Sequence, residues 1–413
     1  MLKWFDKAFV VIVFVVLVGP LALVGAQQLE IRVPSWASSE DAAYLSGYTK
    51  PPVVDVASDL GGFITGEFQE KIEKIIDNEI PCKAFAMLAN AKLERCFIAF
   101  ANVPFRYRAY PTYYSSNTSV IPEDGLIVPT VPRTKQNNTD AADELVQLVI
   151  KEADKYPDTR FVFIEMDDSE YNPTYDLVSE TYDEEWANVH IISPLANTRV
   201  IAYYDPIASY EEYKTMWFST ERHWNLERAL QTYNWIADQL DLKHVEYENP
   251  ILIADEWYGS RCRLGLCFDY SSEFYDMPID FSYIEWLDAS GKAVTNRIRE
   301  QVLSGSFSYI GHPQPVYAVY DNYYGAITTE AINTRADNDR TCLVVSASYA
   351  KAMKNFIADN YSRTVFVGPN NDAVERSFDE YLSEGFDDVI ILLENKSYSG
   401  ITSKSPHFLE LPD

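Results

Sequence analysis

Two apolar rhythms alternate through most of this chain. Over residues 140–155, Leu145, Leu148, Val149 and Ala153 recur at three- and four-residue spacing, which predicts an amphipathic helix. The run RFVFIEM at 160–166 follows and predicts a buried strand. The alternation continues, with strands predicted at 189–192, 199–203, 251–254, 342–345, 365–367 and 388–393. Helices are predicted at 225–240, 350–357 and 373–382. Helix and strand in turn point to the α/β class with a mainly parallel sheet. Upstream the pattern differs. Phe68, Ile72, Ile75 and Ile76 mark an amphipathic helix, residues 85–100 a second, and the aromatic, proline-punctuated stretch 104–132 predicts short strands and turns around Glu123-Asp124-Gly125. No internal repeat or low-complexity tract is evident.

The amino terminus carries a third pattern. Residues 8–26 are uncharged and apolar and follow Lys3 and Lys7, a length between a signal-peptide core and a membrane-spanning helix. Val24 and Ala26 could form a cleavage site, but the run is long for a signal peptide, which favours an uncleaved anchor with the body outside the membrane. The expected organisation is a signal peptide or anchor at 1–26, a polar linker at 27–62, a helical and irregular part at 63–135 and an α/β domain at 136–413. At 47% hydrophobic, 413 residues can bury a large core, as one domain or two. Export makes disulfides possible: Cys262 with Cys267, and Cys82 with Cys96, would leave Cys342 free and buried. Cys262 and Cys267 have no matching histidine pair, so neither metal nor cofactor is expected. Lys and Arg number 34 against 62 Asp and Glu, a net charge of −28 that repels phosphate backbones and argues against nucleic-acid binding.

Candidate chemistry concentrates in two stretches. In TCLVVSASYAKAM, from Thr341, the chain passes from strand to helix within about three residues, and Ser348 sits on the corner. A serine there lies at the carboxyl end of a strand and at a helix start, the geometry of a nucleophile elbow without the glycines of GxSxG. A serine at a helix start is also an ordinary N-cap. A nucleophilic serine needs a base, and His223 in FSTERHWN is the best candidate, with Glu221 two residues before it to orient the imidazole. His190, read as lying in an apolar strand, is the reserve. A surface Glu-Arg-His is also common at a helix start without catalysis.

Together these stretches resemble the DHHW family and its relatives, the AlgX- and AlgJ-like polysaccharide O-acetyltransferases of the SGNH-hydrolase-like superfamily. The resemblance rests on Glu221-Arg222-His223-Trp224 before a helix and Ser346-Ala347-Ser348-Tyr349 after a strand, and it extends over about residues 60–395 through Asp77 to Pro81, Asp255 to Ser260 (DEWYGS), Tyr320 to Tyr324 and Asp387 to Ile391. It implies a three-layer α/β/α domain in which Ser348 is the acyl-accepting nucleophile, His223 the general base and Glu221 the orienting acid. Trp224, Tyr349 and Tyr258 become candidate substrate contacts, and Asn370 a candidate oxyanion donor. It implies a polysaccharide acceptor, an integral-membrane acyl transporter as partner, and a location outside the cell membrane on a single-pass anchor. A carbohydrate esterase using the same triad, or a catalytically silent surface protein binding glycan, remains an alternative. Three positions depart from the family pattern: Glu221 replaces aspartate, Ala347 an acidic residue, and Gly368-Pro369-Asn370 an Asp-Pro-Arg.

Overall fold

The computed structural model describes residues 83–104, 110–111, 118–129, 139–167, 182–294, 323–370 and 372–410. They belong to two compact units, one containing the described residues up to Thr118 with Arg261–Asp269, the other those of Ser119–Ser260 with those of Tyr270–Asp413. In the first unit, the apolar spacing of 85–100 produces the helix Lys83–Asn102. Arg95 donates from that helix to the Leu266 carbonyl at 2.7 Å and to the Asp269 carboxylate at 3.1 Å. Cys262 and Cys267 are buried thiols and not the disulfide expected. Backbone closes their turn instead, the Cys267 amide donating to the Cys262 carbonyl at 2.9 Å. Cys96 is an exposed thiol. Its expected partner Cys82, the run 8–26, the linker and the helix expected around Phe68 to Ile76 lie outside the described residues. Among the described residues, no helix is long and apolar enough to cross a membrane.

The second unit is a mixed α/β fold around an eight-stranded sheet. Its strands are β1 (Arg160–Met166), β2 (Val200–Asp205), β3 (Ile284–Leu287), β4 (Ala293–Val294), β5 (Thr329–Asn333), β6 (Thr341–Ser346), β7 (Arg363–Val367) and β8 (Asp388–Glu394). They lie in the order β2-β1-β8-β6-β7-β5-β3-β4. The first five run parallel; β5, β3 and β4 add an antiparallel edge. Helix α1 (Thr139–Lys155) buries Leu145, Leu148, Val149 and Ala153, with Asp140 in its first turn and Lys155 in its last to complement its dipole. On one sheet face Phe161, Phe163, Leu343, Val345, Val389 and Ile391 form a core with α1 and with Tyr398 and Ile401 of α3 (Asn395–Lys404). The Tyr398 hydroxyl donates to buried Glu165 of β1 at 2.6 Å. Helix α2 (Leu226–Leu240) packs against β1 and the turn after β6. At the amino ends of the parallel strands, wholly buried Asp388 pairs with Arg160 at 2.6 Å and with Arg340.

Three local expectations are corrected. Residues 189–192 are not a strand: Asn188–Ile192 is a π-helical turn continuing the helix Tyr182–Ala187. His190 therefore stands at a helix surface, its Nδ1 2.9 Å from Asp143, outside the site described below. The helix expected over 373–382 forms only at Phe378–Leu382, where Ser377 and Glu380 build a capping box. After β6 the chain first makes a 3-10 turn, Ser348–Met353, before the α-helix Lys354–Ala358.

Candidate active site

Ser348 reaches the site by the way β6 ends. Strand pairing continues one residue past Ser346, the Ala347 amide donating to the Leu392 carbonyl of β8 at 3.0 Å. Ala347 is still extended and caps the 3-10 turn without a side-chain bond, so Ser348 is the first residue of the turn and its hydroxyl is not spent as a cap. The flanking strands β8 and β7 are both parallel to β6, so Ser348 emerges at the carboxyl edge of the sheet, where open α/β sheets bind ligands.

His223 and Glu221 are brought there by a hairpin. The Asn225 amide donates to the Met216 carbonyl at 2.8 Å, Trp217 and Trp224 pair antiparallel, and the Phe218 amide donates to the His223 carbonyl at 3.2 Å. FSTERHWN is thus a closed turn and not an extended loop. Asn225 fixes its exit, its side chain accepting from the Arg228 amide as N-cap of α2 and donating to the Thr215 carbonyl at 2.7 Å.

The three side chains meet in order. His223 Nε2 lies 2.8 Å from Ser348 Oγ, and Nδ1 lies 3.3 Å from Glu221 Oε1, an ion-pair distance without the alignment of a straight hydrogen bond. Ser348 is 7% exposed, His223 3% and Glu221 1%. Burial pushes the Glu221 carboxyl up, but the His223 ring and the Ser260 amide outweigh it and hold the group down to about 2. Arg222 and Ser260 complete its surroundings: the Arg222 amide donates to Oε1 at 2.8 Å, the Ser260 hydroxyl to Oε1 at 2.7 Å, and the Ser260 amide to Oε2.

Ser260 and Gly259 are the functional residues that sequence reasoning passed over. The Gly259 amide donates to Thr220 Oγ1 at 3.0 Å, and a Cβ at 259 would stand 2.5 Å from Glu221 Cβ and against the Thr220 backbone. Only glycine permits that approach. The signal was present, since DEWYGS had been singled out; its tyrosine was picked and the two residues after it were not. Tyr258 itself is half-buried beside them.

Trp224 and Tyr349, expected to touch substrate, are packed behind the triad, 1% and 0% exposed. The Trp224 indole donates to the Tyr349 carbonyl at 3.0 Å, the Tyr349 hydroxyl to the Arg222 carbonyl at 2.7 Å, and the Tyr349 ring meets the His223 ring edge-on at 4.9 Å. They lock the hairpin to the serine turn. The Asn370 amide donates to Ser397 Oγ at 3.0 Å, and α3 crowds it at Gly400, where a Cβ would lie 2.9 Å from Asn370 Cβ. Among the described residues, no group of three His, Cys, Asp or Glu side chains is arranged to hold a metal ion.

A hydroxyl, an imidazole and a buried carboxylate in line at the carboxyl edge of a mainly parallel sheet define a Ser-His-acid site on an α/β fold. Neither a protein-family model nor a curated protein sequence matches the chain. Solved structures do. Bacillus cereus PatB1 with a sulfonyl adduct is similar over 70% of this chain and 99% of its own at a TM-score of 0.51 and 17% identity. A second Bacillus cereus PatB1 structure aligns over 72% and 100% at 0.51 and 16%. A DHHW family protein from Eubacterium siraeum aligns over 70% and 96% at 0.48 and 16%. At these identities, the likeness to PatB1 is one of fold.

Proposed function

We propose that the chain is an O-acyltransferase that esterifies a cell-envelope or secreted polysaccharide through a serine acyl-enzyme. The observation that carries this reading is the 2.8 Å contact between His223 Nε2 and Ser348 Oγ, with Glu221 behind the ring. In this reading the second unit is a three-layer, SGNH-hydrolase-like domain. Residues 1–26 anchor it outside the membrane, and an integral-membrane transporter supplies the acyl group.

The chemistry follows from the geometry. Ser348 Oγ attacks the donor carbonyl while Nε2 takes its proton, and Glu221 steadies the imidazolium. The tetrahedral adduct collapses, the carbonyl-to-leaving-group bond breaks, and the leaving group takes the proton from Nε2. A sugar hydroxyl then attacks the Ser348 ester, giving its proton to Nε2, and the second collapse returns that proton to Oγ as the acylated sugar departs. The donor's acyl group ends on the sugar and the enzyme is unchanged.

A sulfonyl fluoride tests the nucleophile, a choice supported by the sulfonyl adduct named for PatB1. One equivalent should attach at Ser348, and Ser348→Ala should take none. With p-nitrophenyl acetate as donor and an oligosaccharide as acceptor, acetyl should appear on the sugar by mass spectrometry. Free acetate alone would make the protein an esterase; a folded wild type that takes no label would make it a silent binder.

A further inference from the structure

The hairpin that carries His223 and Glu221 has a second face, turned to a groove of about 350 Å³. Trp217, Phe218 and Asn225 line it from the hairpin, Tyr247 from the stretch after α2, and Glu273 and Tyr275 from the strand Ser272–Asp276. The volume is that of a small-ligand site. Two half-buried tyrosines offer the flat faces on which pyranose rings stack, with polar side chains interspersed.

Charge narrows the occupant. The groove's lysine, Lys214, is already ion-paired with Glu211 at 2.9 Å and Asp124 at 3.6 Å. Glu273 adds a carboxylate, which accepts from the Tyr275 hydroxyl at 2.7 Å. With a net charge of −28, an anionic polymer is repelled. We infer that this groove binds a neutral glycan segment. That the glycan is the acyl acceptor rests on the acyl-transfer reading; the binding does not.

Chitohexaose and cellohexaose, titrated into the full chain by calorimetry, test it. At least one should bind wild type and Ser348→Ala with equal affinity. Tyr275→Ala and Tyr247→Ala should each weaken binding by about tenfold, in line with the loss of one stacked ring. Tyr275→Phe keeps the ring and should bind within about twofold of wild type, which separates stacking from a folding defect. Binding by neither sugar, or alanine variants that bind like wild type, would overturn the assignment. Sugar binding by a protein whose Ser348 takes no sulfonyl label would leave the groove standing and remove only the acyl-transfer reading.

Discussion

Replacing Glu221 with glutamine keeps the side chain's length and removes its charge. Every polar neighbour of this carboxylate is a donor: the Arg222 amide, the Ser260 amide and hydroxyl, and His223 Nδ1 at 3.3 Å. An amide at 221 must turn its own NH2 against one of them and cannot balance an imidazolium. Bringing a buried carboxyl from 4.5 down to about 2 corresponds to about 3 kcal/mol in favour of the ionised form. Were all of that spent on the imidazolium, its loss would slow serine activation by about 300-fold, a ceiling because Ser260 and Arg222 hold part of it. The rate of Ser348 sulfonylation, followed by intact mass, should therefore fall by about ten- to a hundredfold in Glu221→Gln. A variant with wild-type circular dichroism that labels within twofold of the wild-type rate would refute the positioning role. The same carboxyl sets a pH dependence. Its folded value lies below the ordinary 4.5, so its stabilisation is complete above 4.5 and fades as pH falls toward about 2. The gap in thermal midpoint between wild type and Glu221→Gln should narrow across that window, and a constant gap would count against the assignment.

Gly259→Ala puts a methyl 2.5 Å from Glu221 Cβ and against the Thr220 backbone; a loss of about 3 kcal/mol in denaturant unfolding and loss of Ser348 labelling are expected, and a stable, labelled variant would contradict the close approach. Trp224→Phe removes the 3.0 Å bond to the Tyr349 carbonyl and leaves a buried acceptor unmet, at about 1–3 kcal/mol, read as a shift in urea midpoint. Asp388→Asn strips the charge from a wholly buried group facing Arg160 and Arg340 at the strand ends remote from Ser348. It should cost about 3 kcal/mol while the folded fraction still labels at the wild-type rate.

The parallel half of the sheet was readable because its strands are buried on both faces and stand out as continuous apolar runs, as 160–166 and 388–393 do. The antiparallel edge was not. Strands such as Thr329–Asn333 and Ile284–Leu287 are short, and the first buries Thr329 and Asn333, so their apolar positions are too few to set a period. The turn Asn188–Ile192 misled for the opposite reason: its apolar cluster V-H-I-I imitates a strand, while its pairing is within a helix and its Ile191 alone is fully buried. At the site, Ser348 could be singled out by its place on a strand-to-helix corner, and His223, one of five histidines, by a carboxylate two residues before it. Gly259 and Ser260 work through an amide, a hydroxyl and a missing Cβ, which no residue-type pattern reveals until the two segments are seen side by side.

That contact also accommodates the length of the glutamate at 221. An extra methylene moves a carboxylate by about 1 Å or more, enough to spoil an imidazole's placement if nothing else adjusts. Here the backbone at 259–260 is pressed onto Thr220 and Glu221 as closely as a glycine allows, and the Ser260 amide and hydroxyl meet the carboxylate. The same oxygen that accepts from the Ser260 hydroxyl lies 3.3 Å from His223 Nδ1, while Tyr349 and Trp224 hold the ring's other side. The longer acid, the glycine and the serine are therefore one device. An aspartate at 221 would withdraw from Ser260 and from the imidazole together, so Glu221→Asp alone would open the site.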